Sequence, residues 1–369
     1  MCIKEITGSY TVCMKKEEWI AYLIIWTVLL GTSAYFIYSV GFQKLIFAKV
    51  EEGSVEIEDQ FLQEQLILEN EERVQQKDAE AAREEQAAAM AKEQANAELE
   101  AQEQLSKETQ AVFSNAVARI QESGNFLSSC FIVDPDTTLL EADVPLQTLI
   151  NNDMSMDADA SEPQILIYHT HASEGYVDSV DGDASTTVVG VGDYLQELLT
   201  TRYGYHVLHV TEAYDLAEGT LNRSRAYNYA RDGLETILAE HSNIQVIIDL
   251  HRDGVDEDQH LVTEIDGKQT AKIMFFNGLS RTNEQGELTS LPNSYTQDNL
   301  AFSLQLELLG DYYYPGYVRG VYVKGYRYNL HFRPKSLLLE VGAQTNTLEE
   351  AKNAMEPFAE ILSKLLKGT

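Results

Sequence analysis

The alternation of apolar and polar positions divides the chain into three stretches of different character. Between Trp19 and Gln43 no position is charged, in WIAYLIIWTVLLGTSAYFIYSVGFQ. An α-helix needs about 20 such residues to cross a hydrocarbon core, and Trp19, Tyr22, Trp26, Tyr35 and Tyr38 supply aromatics of the interface type. From Glu51 to about Gln110 the pattern inverts: Glu, Gln and Ala dominate, proline is absent, and every residue of EEQAAAMAKEQANAELEAQEQL is compatible with helix. Leu62, Leu66, Val74, Leu99 and Leu105 hold no sustained heptad, so this stretch reads as a long helix or a disordered acidic spacer rather than a strong coiled coil.

From Gln164 onward short apolar runs alternate with amphipathic segments, the sequence form of βαβ units. Strands are predicted at Ile165–His169, His206–Val210, Ile244–Leu250, Lys272–Phe276 and Ser336–Val341. Helices are predicted at Val188–Tyr203, Ser224–His241, Gln297–Leu309 and Leu348–Leu366, the last opening on Thr347 and Glu350 as a capping box. Asp266-Gly267 is a hairpin signal, so an antiparallel element is expected to interrupt the parallel order. The fold class is therefore α/β, with a mainly parallel mixed sheet and flanking helices. The domain organisation reads as a cytoplasmic N-terminus over 1–18, a transmembrane anchor over 19–43 and an acidic tether over 44–125. A lead-in and linker over 126–163 then reaches the domain at 164–369. An uncleaved anchor is favoured over a signal peptide, whose apolar region would be only ~7–15 residues, although GTSA at Gly31–Ala34 keeps cleavage open. The lysines around the span lean only weakly toward a cytoplasmic N-terminus.

Charge narrows the partners. With 27 Lys+Arg against 59 Asp+Glu, a formal net charge of −32, the chain lacks the basic face that phosphate contacts require, and no nucleic-acid partner is expected. The three cysteines, Cys2, Cys13 and Cys130, form no CxxC, so any metal site must be built from histidine and carboxylate.

Such residues stand at the ends of three predicted strands, where an open α/β sheet gathers its ligands. The first ends in YHTHASE, giving His169, His171 and Glu174; another ends in IIDLHRD, giving Asp249, His251, Arg252 and Asp253; the last, SLLLEVG, gives Glu340. Two or three such ligands, a position open to water and a carboxylate to take the water's proton are the parts of a catalytic zinc site. On an extended backbone His169 and His171 would face the same way, so both are metal candidates, or one ligates while the other supports it. Glu174 is the nearest carboxylate, and Glu340, preceded by three leucines, is the better general base because a buried acid needs a reason to be there. A serine hydrolase is disfavoured, since Ser173 sits in no G-x-S-x-G elbow, and VVGVGDYL lacks the lysine of a phosphate-binding loop.

The combination of IYHTHASEGY, VGDYLQELL, IIDLHRD and YPGYVRGVYVKGYRYNLHFRPKSLLLEVGAQTNTLEEA resembles the stage II sporulation protein P family of spore-forming bacteria, over nearly all of Ile165–Lys367. The resemblance implies a zinc-dependent peptidoglycan hydrolase with a fold like that of the N-acetylmuramoyl-L-alanine amidases. Its implied activities are cleavage between muramic acid and the stem peptide, with endopeptidase action on stem-peptide cross-links. It implies metal-binding roles for His169 or His171 and for His251, and a catalytic role for Glu340; on the mechanism expected here, Glu340 or His331 returns a proton to the leaving amine. Related amidases often place a ligand glutamate at the start of the first helix; only Asp193 stands there, so the carboxylate ligand is assigned to Glu174. Arg319, Arg327, Asn329 and His331 match a further family stretch, and with Arg252 they are candidates for substrate contact or for ion pairs and turn structure. By the same resemblance the catalytic domain faces the wall from the engulfing mother-cell membrane, beside the stage II sporulation proteins D and M. Two other functions stay open: a wall-binding module that recruits a partner hydrolase, and another zinc amidohydrolase.

Overall fold

The structure is a computed structural model that describes residues 2–4, 11–13, 27, 30, 32, 55–123, 129–156, 161–216 and 219–368. The chain divides into two compact units, 1–93 and 94–369. Apart from Thr27, Leu30 and Thr32, which are helical, the span expected over 19–43 lies outside the described residues. So does most of 1–18, where the described stretches are two short strands, Cys2–Lys4 and Thr11–Cys13, paired antiparallel. Among the described residues no helix is long and apolar enough to cross a membrane.

The Glu/Gln/Ala-rich stretch is helical, as its propensities favour: α1 runs over Val55–Ser123. Leu66, Val74 and Leu99 are more than half exposed, in keeping with the missing heptad. Its last turns behave differently. Thr109, Val112, Phe113, Ala116 and Ile120 recur at three- to four-residue spacing and are buried in the core of the second unit, so this end of the helix is part of the globular unit. Glu108 accepts from the Tyr313 hydroxyl at 2.6 Å, and Gln102 donates to the Lys367 carbonyl at 3.0 Å.

Seven strands form the central sheet. In chain order they are β1 (Phe131–Val133), β2 (Ile165–Tyr168), β3 (Val207–His209), β4 (Val246–Asp253), β5 (Ile273–Gly278), β6 (Val318–Lys324) and β7 (Lys335–Ala343). Their spatial order is β1-β6-β5-β7-β4-β2-β3. All neighbours pair parallel except β5 and β7. The sheet is thus two parallel blocks, β1-β6-β5 and β7-β4-β2-β3, meeting at one antiparallel seam. The Asp266-Gly267 hairpin does form, with φ of 51° and 77° at its two turn residues, but it pairs only with itself, Val262–Ile265 against Lys268–Ala271. The antiparallel element in the main sheet comes instead from the direction in which β5 enters. Two sheet members escape a reading by apolar runs: β6 is interrupted by Arg319, Gly320 and Tyr322, and the lead-in strand β1 is only three residues long.

Helices α2 (Val188–Thr201), α3 (Arg223–Glu240), α4 (Thr296–Tyr313) and α5 (Leu348–Leu366) flank the sheet, the last capped by Thr347 and Glu350. Alternate strand residues face opposite ways. Ile165, Ile167, Ile248, Leu250, Leu337, Leu339 and Val341 join the larger core with α2, α4 and α5. Leu166, Tyr168 and Ile247 join a smaller core with Ala230, Leu234 and Leu238 of α3. That parity decides where each functional side chain emerges.

Candidate metal centre

β4 and β7 lie side by side, and their register pairs Glu340 with His251. Both residues share parity with Ile247, so they emerge on the face covered by α3. β2 ends at Tyr168, and a turn follows over Thr170–Ser173 that redirects the chain. It carries His171 and Glu174 over the ends of β4 and β7.

Three of them form one group, with His171 half-buried and Glu174 and His251 buried: their ligating atoms all lie within 4.8 Å of one another. Glu174 Oε1 is 3.4 Å from His171 Nδ1, and its Oε2 is 3.2 Å from His251 Nδ1. Both separations are loose for hydrogen bonds. They match the ~3.3 Å between two donors that share one tetrahedral ion at bonds of about 2.0–2.1 Å. Two buried polar atoms around the group are without a hydrogen-bond partner, His171 Nε2 and Glu340 Oε2, while His251 Nε2 has the Asp249 carboxylate 2.8 Å away. Two imidazoles, one carboxylate and a separate free carboxylate oxygen are a donor set that fits zinc.

Electrostatics reinforce the grouping. Burial by itself would raise the Glu174 carboxyl, yet His251 and His171 beside it hold it well below the ordinary carboxylate range. Burial works against a charged His251, but Asp249 and Glu174 on either side raise it well above an ordinary histidine. For Glu340, burial dominates and, with Glu174, Asp253 and Asp249 nearby, pushes the carboxyl up to about 8 against the pull of His251.

Two residues of the site, Arg223 and Tyr227, are not among those the sequence singled out, and a third, Asp249, takes a contact that the sequence did not specify. Arg223 opens α3 and places Nη1 3.3 Å from Glu174 Oε1, with its side chain 46% exposed, so a cation stands at the mouth of the group. One turn on, the Tyr227 ring lies 5.5 Å from that of His171 and 5.3 Å from Tyr328. Asp249, two residues before His251 on the same face, has Oδ1 2.8 Å from His251 Nε2, out of hydrogen-bond alignment. Strand parity pointed to Asp249, while Arg223 and Tyr227 had no local signal because α3 comes from a distant part of the chain.

His169 is placed elsewhere, which corrects the expectation that it and His171 share a face. It keeps the parity of Ile165 and Ile167 and enters the opposite side of the sheet, fully buried. Its Nδ1 lies 2.8 Å from the Leu250 carbonyl and its Nε2 2.8 Å from His209 Nε2, while His209 Nδ1 is 3.0 Å from Asp193 Oδ1. Both ring nitrogens of His169 are therefore engaged, and Asp193, the carboxylate at the start of the first helix, belongs to this group. Gly192 makes room for it: a Cβ there would come within 2.6 Å of His209 Nε2 and 2.9 Å of His169 Nε2. Burial, followed by His209, lowers His169 to about 3.

The remaining candidates serve the surrounding framework. Arg252 donates its backbone N–H to Glu174 Oε2 at 3.2 Å, while its guanidinium donates to the Gly175 and Asp253 carbonyls. Arg319 pairs with Asp253 at 2.6 Å, and Arg327 donates to the Pro292 carbonyl. Asn329, left-handed at φ 58°, ties its loop to the Tyr227 carbonyl. His331 packs on Phe332 and is lowered to about 4 by burial and by Arg327 and Arg231; its charged neighbours are these arginines and not the His/Glu group. Ser173 donates from both N–H and Oγ to buried Asp215, which leaves it committed to the turn.

Comparison with known proteins completes the picture. A family model described as Stage II sporulation protein P (SpoIIP) matches residues 42–363. The curated Stage II sporulation protein P of Bacillus subtilis (strain 168) is 29% identical over 215 residues, which cover 54% of this chain and 50% of that protein. The chain thus spans about half the length of the curated relative it matches. Among solved structures, the catalytic domain of CwlV, an N-acetylmuramoyl-L-alanine amidase from Bacillus (Paenibacillus) polymyxa, matches with a TM-score of 0.31 and 13% identity, covering 55% of this chain and 95% of that one. An N-acetylmuramoyl-L-alanine amidase of Nostoc punctiforme matches with a TM-score of 0.33 and 13% identity, covering 55% and 97%. The family match runs through most of the chain and includes every residue of the His/Glu group: the chain belongs to the stage II sporulation protein P family.

Proposed function

We propose that the chain is a zinc-dependent peptidoglycan hydrolase of sporulation, cutting the amide between N-acetylmuramic acid and L-alanine and, by the same chemistry, stem-peptide cross-links. The observation that carries this reading is the His171–Glu174–His251 group with the unpartnered Glu340 Oε2 beside it. Membership of the family supports the wall as substrate. His171, Glu174 and His251 would hold the ion. When bound there, zinc supplies polarisation of an amide carbonyl and a water that ionises near neutrality.

Glu340 Oε2 is the acceptor for the proton of the attacking water, and it returns that proton to the amide nitrogen as the C–N bond breaks. A carboxyl whose burial lifts it to about 8 can carry a proton in either direction near neutral pH. His331, lowered to about 4, is a neutral imidazole at neutrality and lacks the acidic proton of an imidazolium, and the return step is assigned to Glu340 alone. Arg223, half exposed beside Glu174, offers a cation to a stem-peptide carboxylate. The uncharged span at 19–43 would anchor the domain on the wall side of the engulfing membrane, and proteins D and M of the same sporulation stage are the partners this placement implies.

The test is to digest purified sacculi with the full chain and identify soluble products by mass spectrometry, with zinc measured on the same preparation. Stoichiometric zinc and free stem peptides with an L-alanine amino terminus are expected. A zinc-free chain that binds sacculi and releases nothing would instead indicate a wall-binding module.

A further inference from the structure

The two residues of the turn that belong to the His/Glu group, His171 and Glu174, are each preceded by a hydroxyl residue, Thr170 and Ser173. Each of these hydroxyl residues gives both its N–H and its side-chain O–H to one buried aspartate. Thr170 N donates to Asp249 Oδ1 at 2.8 Å and Thr170 Oγ1 to Asp249 Oδ2 at 2.6 Å. Ser173 N donates to Asp215 Oδ2 at 3.2 Å, and Ser173 Oγ donates to the same oxygen. Both aspartates are fully buried. They come from different elements: Asp249 from the centre of β4, and Asp215 from the short 3-10 turn Tyr214–Leu216.

A turn with two hydroxyl residues can be closed without burying charge, and an ionised carboxylate in the interior is costly unless its partners need it. Asp249 has such a partner beyond the turn. Its Oδ1 also lies 2.8 Å from His251 Nε2, so the ring presents Nδ1 toward Glu174 at 3.2 Å. One carboxylate therefore fixes a β4 histidine and the turn that carries the other histidine, setting their separation. Asp215 acts at the far end: its carbonyl accepts from Asn222 N at 2.8 Å, and Asn222 caps the helix whose first residue, Arg223, meets Glu174.

We propose that Asp249 and Asp215 are the positioning residues of the metal centre: Asp249 fixes His251 to offer Nδ1 and clamps the turn at Thr170, and Asp215 clamps it at Ser173. Carboxylates behind ligating histidines orient the ring and raise its basicity. The assignment rests on the reading of His171, Glu174 and His251 as zinc ligands.

The experiment uses the purified full chain, the zinc-free protein being titrated with zinc in competition with a chelating indicator. Asp249→Asn is expected to weaken zinc binding by about 10- to 100-fold, the usual loss when such a partner is removed, and Asp215→Asn by a smaller factor. On zinc-loaded wild type with labelled histidine, long-range proton–nitrogen correlations should show His251 protonated on Nε2, a readout that needs no variant to fold. Zinc affinity within about twofold of wild type in both variants, with only the thermal midpoint of the zinc-free protein lowered, would make the clamps purely structural and overturn the proposal. So would a His251 proton on Nδ1. If wild type takes up no zinc at all, the parent reading fails instead, so the two failures are distinguishable.

Discussion

The two faces of the sheet each carry a histidine–carboxylate group within a few residues of the end of β2, and they differ in one respect. On the face covered by α2, His169 is saturated: a carbonyl on Nδ1, an imidazole on Nε2, and Asp193 behind His209. On the face covered by α3, His171 Nε2 and Glu340 Oε2 are buried without partners, and the two histidines stand 3.4 and 3.2 Å from Glu174, a spacing that two donors sharing one ion would also have. Histidine and acid in proximity do not by themselves make a metal site; buried polar atoms left without partners are what set this face apart.

The largest expected effect falls on the α3 face. Glu340→Gln should lower muropeptide release from sacculi by about 10²–10⁴-fold, the usual range for losing a general acid–base, while zinc content stays stoichiometric; undiminished release would remove Glu340 from the mechanism. Next, His251→Ala should weaken zinc binding by at least about 100-fold, whereas His169→Ala should keep its zinc. Equal losses in the two variants would erase the distinction between the faces. Equilibrium unfolding should show the converse, with His169→Ala destabilised by about 1–3 kcal/mol through the buried partners it leaves unpaired.

A smaller effect is expected at Gly192→Ala, whose Cβ must displace His209 and His169; a loss of about 1–3 kcal/mol with unchanged zinc affinity would sharpen the reading of that face as structural. The smallest is a pH slope. Burial and His209 lower His169 from 6.5 to about 3, so the unfolded chain takes up a proton that the folded chain refuses. Its contribution is present above pH 6.5 and is lost as pH falls toward about 3. Chemical denaturation across that window should show a shallower loss in His169→Gln than in wild type. Identical slopes would mean that His169 is not held neutral.

Much of the architecture was legible along the chain. The apolar runs at 165–169, 206–210, 244–250, 272–276 and 336–341 all became strands, and four amphipathic segments became α2 to α5, because period and burial are local properties of a strand or helix. β6 was not legible, since Arg319, Gly320 and Tyr322 interrupt its apolar pattern and its neighbours β1 and β5 supply the pairing. The antiparallel seam was expected at the wrong place for a related reason: a hairpin signal announces a turn but not which strands its arms will join.

At the site, the sequence by itself determined the chemistry: histidines and acids at the ends of three strands, in a chain without thiolate pairs, and a glutamate behind three leucines that only a special environment would tolerate. Only the tertiary structure decided which of two neighbouring histidines joins Glu174 and His251. The strand stops at Tyr168, the turn clamped by Asp249 and Asp215 breaks the two-residue alternation, and Arg223 and Tyr227 arrive from a helix some fifty residues further along the chain. Side-chain direction can be counted only while the backbone stays extended; beyond that point it is set by what the backbone packs against.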